Sequence, residues 1–297
     1  MTMPARTAVL LTAHGTVADL DELPRFLLRI RAGRPVPPEL LAETRRRYAL
    51  IGGSPLLRVT EEQAMLLERR LGVPVFVGMR LAEPTLEDAL RRAEERGSEH
   101  VVLLPLAPFS VHVYAAAAEA ARAHLLEERR KPPTLTVVPP WGQSSHFVRA
   151  HAQAIRPHLA SPARLVLTAH SLPLVALRGG DPYADQVRDS AAAIGKELGQ
   201  PFELAFQSQG EGGGEWLGPT LKSALEAAKR DGARRVVVAP IGFLSEHVET
   251  LYDLDIEARA WAAELGLEWS RVPALGHAEG LIEALADVAG KAAAGRA

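Results

Sequence analysis

Apolar residues arrive along this chain in short unbroken runs, separated by longer stretches of helical periodicity. The runs cover residues 8–12, 73–77, 100–105, 135–138, 165–168, 202–206 and 235–240 and are rich in Val and Leu. A strand wetted on one face alternates apolar and polar residues, whereas a strand covered on both faces is apolar throughout. Unbroken runs interleaved with amphipathic helices therefore predict an α/β fold in which parallel sheets lie between helical layers.

The pattern also repeats itself. "EPTLEDALRRAEERGSEHVVLLPLAPFS" at 83–110 matches "GPTLKSALEAAKRDGARRVVVAPIGFLS" at 218–245 at a constant offset of 135, through helix, turn, strand and closing Ser. "LLTAHGT" at 10–16 is echoed by "LVLTAHS" at 165–171, but His14 and His170 stand 156 residues apart. The first copy thus holds about 21 extra residues, which fall within 19–54. That stretch, with "RIRAGRPVPPE" and "RRRYALIGGSP", reads as a helix, a Pro-rich turn and a second helix ending at Gly52-Gly53. An internal duplication of this size predicts two Rossmann-like lobes with parallel sheets, residues 1–145 carrying the insertion at 19–54 and residues 146–297 forming the second lobe.

Composition narrows the chemistry. The 297 residues include no cysteine, which excludes disulfides, thiolate zinc sites, iron–sulfur clusters and cysteine nucleophiles. The formal net charge of -2 offers no basic field for nucleic acid or an anionic membrane. The apolar run at 8–13 is too short to span a bilayer and lacks the form of a signal peptide, so a cytoplasmic protein is expected. The Gly-rich loop at 209–219 does not fit a phosphate-binding fingerprint, His146, His151 and His158 match no metal spacing, and the tail at 289–297 reads as a fraying end.

In open α/β sheets ligands bind beyond the carboxyl ends of the strands. His14 and His170 each sit at such an end, as do Phe109-Ser110 and Phe243-Leu244-Ser245. A lone histidine there is more often structural than functional, but two lobes related by a pseudo-dyad would face these positions across one cleft. At offset 135 Tyr114 corresponds to Glu249, so His170 with Glu249 is expected to face His14 with Tyr114. Such nitrogen and oxygen donors suit a borderline metal such as Fe(II), or proton transfer near neutral pH. Glu249, Asp253 and Glu257 follow at i, i+4 and i+8 and are expected to line one face of a helix, where like charges cost a few tenths of a kcal/mol per pair and so call for a role such as a cation path.

These segments resemble a family. "TAHSLP" at 168–173, "GDPYADQ" at 180–186, "QS" at 207–208, "WLGP" at 216–219 and "PIGFLSEHVETLYDLD" at 240–255, with "YALIGGSPL" at 48–56 and "GMRLAEPTLEDAL" at 78–90, resemble the ferrochelatases in order along nearly the whole chain. The resemblance is nearest to the cluster-free bacterial enzymes that act on coproporphyrin III. It implies a class II chelatase-like fold, a monomer, Fe(II) and a porphyrin as substrates, and no organic cofactor. It also implies that His170 and Glu249 are catalytic and metal-binding, that Asp253 and Glu257 continue the metal or proton route, and that Arg31, Arg47, Tyr48 and Ser54, with Tyr114, hold the macrocycle. His14 replaces the Tyr usual in those enzymes and is similar to the N-terminal His of the small sirohydrochlorin chelatases. Coproporphyrin III is the expected substrate and protoporphyrin IX the next. The alternatives are a sirohydrochlorin-type chelatase for another metal and a haem carrier without turnover.

Overall fold

A computed structural model describes residues 3–210 and 214–295. Two four-stranded parallel sheets form the frame. The first has the order β2-β1-β3-β4, with β1 at Thr7–Ala13, β2 at Val75–Met79, β3 at His100–Pro105 and β4 at Thr134–Val137. The second has the same order shifted by one repeat, β6-β5-β7-β8, with β5 at Arg164–His170, β6 at Glu203–Gln207, β7 at Arg235–Pro240 and β8 at Glu268–Arg271. Each predicted run lies on one of these strands. The eighth strand, "EWSR", was not among them, because an edge strand of half-exposed polar residues has no apolar run.

The helices follow in chain order: α1 (Leu23–Ile30), α2 (Pro38–Leu50), α3 (Leu56–Leu71), α4 (Leu86–Glu95), α5 (Val111–Glu127), α6 (Ser145–Ile155), α7 (Leu174–Arg178), α8 (Tyr183–Leu198), α9 (Leu221–Arg230), α10 (Val248–Leu251), α11 (Arg259–Glu264) and α12 (Glu279–Ala294). Helices α4 and α9 show how far the duplication holds. Thr85 and Thr220 each cap the helix start by accepting a hydrogen bond from the backbone N–H three residues on, both at 3.1 Å, a contact worth about 1 kcal/mol. The central strands β1 and β5 are almost wholly buried, so side chains pack on both faces of each sheet.

Helices α1 and α2 are the expected insertion, joined by the Pro-rich turn and closed by Gly52 and Gly53 in the left-handed region. Two expectations change. The acidic segment after His247 is not one regular helix: a π-helical stretch (Asp253–Ala258) separates α10 from α11, and the Glu257 N–H reaches the Tyr252 carbonyl five residues back. The C-terminal tail does not fray as expected, since α12 continues to Ala294 with Ala293 buried, and only the last two residues lie outside the described region. Helix α12 packs back on α3, β3 and β4 as well as on α6, tying the end of the chain to the first sheet. Among the described residues no helix is long and apolar enough to cross a membrane.

Candidate active site

The carboxyl ends of β1, β2, β3, β5 and β7 open into one cleft of about 320 Å³ between the sheets, a size within the usual range for small-molecule sites. Two glycines shape it. Gly15, at φ +107°, turns the chain directly after His14, and a Cβ there would lie 2.8 Å from the Ala82 Cβ. Gly242 lets the loop after β7 press on the end of β5, where a Cβ would meet the Ala169 Cα at 3.0 Å. Larger side chains at either position would displace the strand ends that carry the histidines.

His170 is the last residue of β5 and Glu249 lies in α10; His170 Nδ1 and Glu249 Oε2 are 2.9 Å apart. Backbone contacts fix both residues. The Tyr183 hydroxyl donates to the His170 carbonyl at 2.8 Å, and Gln207 Nε2 donates to the Glu249 carbonyl at 2.8 Å. About a third of each partner's side chain faces the cleft. Burial pushes the Glu249 carboxyl up, but the charge and hydrogen bond of His170, aided by His247 and His14, outweigh it and hold the group at about 2. Burial pushes His170 down, and the Glu249 carboxylate beside it reverses the sign, so its pKa ends above the ordinary value. With Nδ1 engaged by the carboxylate, the other ring nitrogen, Nε2, is the free site for a proton or a metal ion.

From the first lobe, His14 and Tyr114 also line the cleft. His14 is exposed to the cleft, yet closely ringed by protein, and this surrounding lowers its imidazole to about 4 against the pull of Glu249. Burial raises the Tyr114 phenol to about 12. Both are therefore neutral near pH 7. His247 lies 3.8 Å from Glu249 and packs on Phe243, and its burial lowers its pKa below the ordinary range. The four residues expected to face one another across the cleft, His14 with Tyr114 and His170 with Glu249, thus line the same cleft.

The insertion residues do not. Arg31, Arg47, Tyr48 and Ser54 do not line this cleft, and each has a partner within the protein. Arg31 donates to the Pro35 carbonyl at 2.9 Å. The Tyr48 hydroxyl is buried against Thr16 at 3.1 Å, and Ser54 Oγ accepts from the Leu56 N–H at 3.5 Å. Arg47 is held by Glu43 at 2.8 Å, lies 3.6 Å from Asp253 and covers the Tyr252 ring at 4.7 Å. Arg47, Asp253 and Glu257 instead line a second cavity of about 220 Å³ with Ser208, Gln209 and Lys222. Burial raises the Asp253 carboxyl to about 7 despite its hydrogen bond from Ser208. The carboxylate series is therefore split: Glu249 faces the main cleft and the other two face its neighbour. π-Helical turns of this kind are frequent at functional sites.

Sequence reasoning passed over Arg80, Asp181 and Tyr183, all of which line the cleft. Arg80 directly follows β2, so the strand-end rule used for the histidines also points to it. Asp181 meets His112 of the first lobe at 3.3 Å, a contact that periodicity does not carry.

The family described as ferrochelatase matches residues 6–293. A ferrochelatase of Acidobacterium capsulatum is 33% identical over 314 residues, covering 97% of this chain and 94% of that protein. A coproporphyrin III ferrochelatase of Geobacillus kaustophilus is 35% identical over 309 residues, covering 96% of each. Among solved structures, SirB from Bacillus subtilis with Fe3+ superposes with a TM-score of 0.63 at 15% identity, covering 98% of this chain and 96% of that one. That likeness establishes the two-lobed class II chelatase fold. Because the sequence match spans nearly every residue at 33–35% identity, the chain belongs to the ferrochelatase family.

Proposed function

We propose that this protein inserts Fe(II) into a porphyrin, with coproporphyrin III as its substrate, as a step of haem biosynthesis in the cytoplasm. The observation that carries the reading is the half-buried His170–Glu249 pair facing His14 across a cleft between two lobes. Insertion requires loss of two pyrrole protons while a desolvated divalent ion enters the ring. His170 Nε2 accepts the two pyrrole protons in turn, releasing the first before it takes the second, and Glu249 holds the imidazole by Nδ1 and stabilises the imidazolium that forms each time. His14, neutral and open, offers its lone pair to Fe(II) from the opposite lobe. Without cysteine the protein holds no thiolate-ligated cluster, and the iron is substrate. Asp253 and Glu257 supply the onward route through the second cavity. The working lobes are residues 1–145 and 146–297, and the working unit is a monomer. The names of the relatives support the choice of coproporphyrin III.

An anaerobic assay with Fe(II) and coproporphyrin III, protoporphyrin IX or sirohydrochlorin tests the reading. Insertion is expected with coproporphyrin III, more slowly with protoporphyrin IX, and not with sirohydrochlorin. Tight haem binding without turnover on any of the three would replace the enzyme by a carrier. Asp253→Asn removes a buried group that titrates at about 7, midway along the proposed route. Its kcat is expected to fall about tenfold, less than the 10²- to 10⁴-fold usual for a group that takes the substrate proton directly, with porphyrin affinity unchanged; an unaltered kcat would remove Asp253 from the route.

A further inference from the structure

Arg80 is the one arginine that lines the cleft among the described residues, and its guanidinium has no hydrogen bond or ion pair there. Its backbone N–H is fixed to the Ala13 carbonyl at 2.9 Å, which places the residue beside the turn that carries His14. The acids of the cleft are already engaged. Glu249 is held by His170, and Asp181 by His112 and the Tyr183 N–H. Two arginines of the insertion that approach the second lobe are also satisfied, Arg46 by Glu43 and the Tyr252 hydroxyl, Arg47 by Glu43 and Asp253. Arginine stays charged at any working pH, and a half-buried guanidinium without a counter-ion is matched best by a planar carboxylate that accepts two of its N–H groups. Arg80 lines the cleft together with His14 and Tyr114, at its first-lobe wall.

On the reading that this protein is a porphyrin chelatase, we propose that Arg80 binds a carboxylate on the macrocycle edge that enters along the β2 side, and thereby selects tetracarboxylic over dicarboxylic porphyrins. In coproporphyrin III every pyrrole carries a propionate, so this edge is anionic whichever way the ring is turned. In protoporphyrin IX the two propionates share one edge and vinyl groups occupy the other. A ring that uses its propionates elsewhere presents vinyls to Arg80, leaving a desolvated guanidinium unpaired. Sites built to hydrogen-bond a group reject analogues that lack it more strongly than apolar pockets reject bulk.

The test is a fluorescence-quenching titration of iron-free coproporphyrin III and protoporphyrin IX with wild type, Arg80→Leu, Arg80→Gln and Arg80→Lys, run beside the insertion assay. Loss of a charge-assisted contact predicts a Kd for coproporphyrin III about 10- to 100-fold higher in the Leu and Gln variants. Arg80→Lys is expected to recover only part of that loss, since it restores the charge without the two-bond fork, and the Kd for protoporphyrin IX to stay level or fall in Arg80→Leu, where no unpaired guanidinium meets the vinyl edge. Equal weakening for both porphyrins, or unchanged coproporphyrin III affinity, would overturn the inference. The titration reads Arg80 without turnover: a wild type that binds selectively through Arg80 but inserts no iron would overturn the enzymatic reading and leave this one standing.

Discussion

His170→Ala is expected to lower iron insertion by about 10²- to 10⁴-fold, the span usual for removal of a general base, while porphyrin affinity stays within a few-fold. The expectation rests on the 2.9 Å contact between Nδ1 and Glu249, which leaves Nε2 as the acceptor. Glu249→Gln keeps the shape and removes the charge, so it should cost much of the same factor. Combining the two should add little to the larger single effect, because they act as one unit. The pH profile supplies a second readout. In the wild type the Glu249 carboxylate holds His170 above the ordinary 6.5, so the free base accumulates, and insertion rises, only as pH climbs past that value. In Glu249→Gln only burial is left among the large influences, and the acidic limb should move to lower pH. Steady-state anaerobic kinetics across pH 5–9 would decide the matter; a His170→Ala enzyme retaining more than a tenth of the activity, or an unmoved limb in Glu249→Gln, would rule out the assigned base.

The same pair has a stability signature of definite sign. The raised pKa of His170 contributes stability that is complete below 6.5 and is lost as pH rises through the folded value. The depressed pKa of Glu249 contributes stability present above 4.5 and lost as pH falls toward about 2. Both contributions are therefore in force together between about 4.5 and 6.5. The chemistry asks for the opposite side of the His170 titration, so the protein is expected to work at a pH where part of the pair's stabilisation has been given up.

Strand ends were the most legible part of this molecule. A strand covered on both faces must be apolar throughout, and the residue after it is where the backbone turns and a polar side chain can reach the cleft. That is why His14 and His170 could be located, and why the offset of the repeat brought Tyr114 and Glu249 with them. The offset also held information that apolar runs lack: residues 134–137 of β4 project onto 269–272, one residue beyond β8 at Glu268–Arg271. Long side chains were less legible. Arg47 and Tyr48 are consecutive on α2, yet one turns to Asp253 of the other lobe and the other is buried against Thr16. Their partners are fixed by how the insertion lies on the frame, which neither period nor spacing encodes. The π-helical turn was not legible either, since i, i+4, i+8 spacing is equally compatible with a regular helix.

Phe147→Ala should be the most destabilising single change in the hydrophobic core, costing about 3–5 kcal/mol for an aromatic deleted from a packed interior. Phe147 is fully buried, and three rings meet it edge-on: Trp141 at 5.2 Å, Phe109 at 6.3 Å and His151 at 4.5 Å. Each edge-to-face pair adds roughly 0.5–1.5 kcal/mol beyond area alone, and Trp141 is pinned by a hydrogen bond from its indole N–H to the Pro105 carbonyl at 3.1 Å. The cavity has no easy way to close, because Phe109 is itself fixed between Gly142, where a Cβ would come within 2.1 Å of its ring, and Tyr183 at 6.2 Å. This stack is also the floor of the cleft. Phe109 lines it, and Tyr183 donates to the His170 carbonyl. Denaturant unfolding is therefore expected to show the full loss of stability, whereas insertion assayed well below the melting transition falls only a few-fold, since Phe147 does not reach the cleft. A loss under 1 kcal/mol would mean that the stack collapses around the missing ring. A hundredfold loss of insertion in the folded variant would mean that the position of His170 depends on Phe147 through Phe109 and Tyr183.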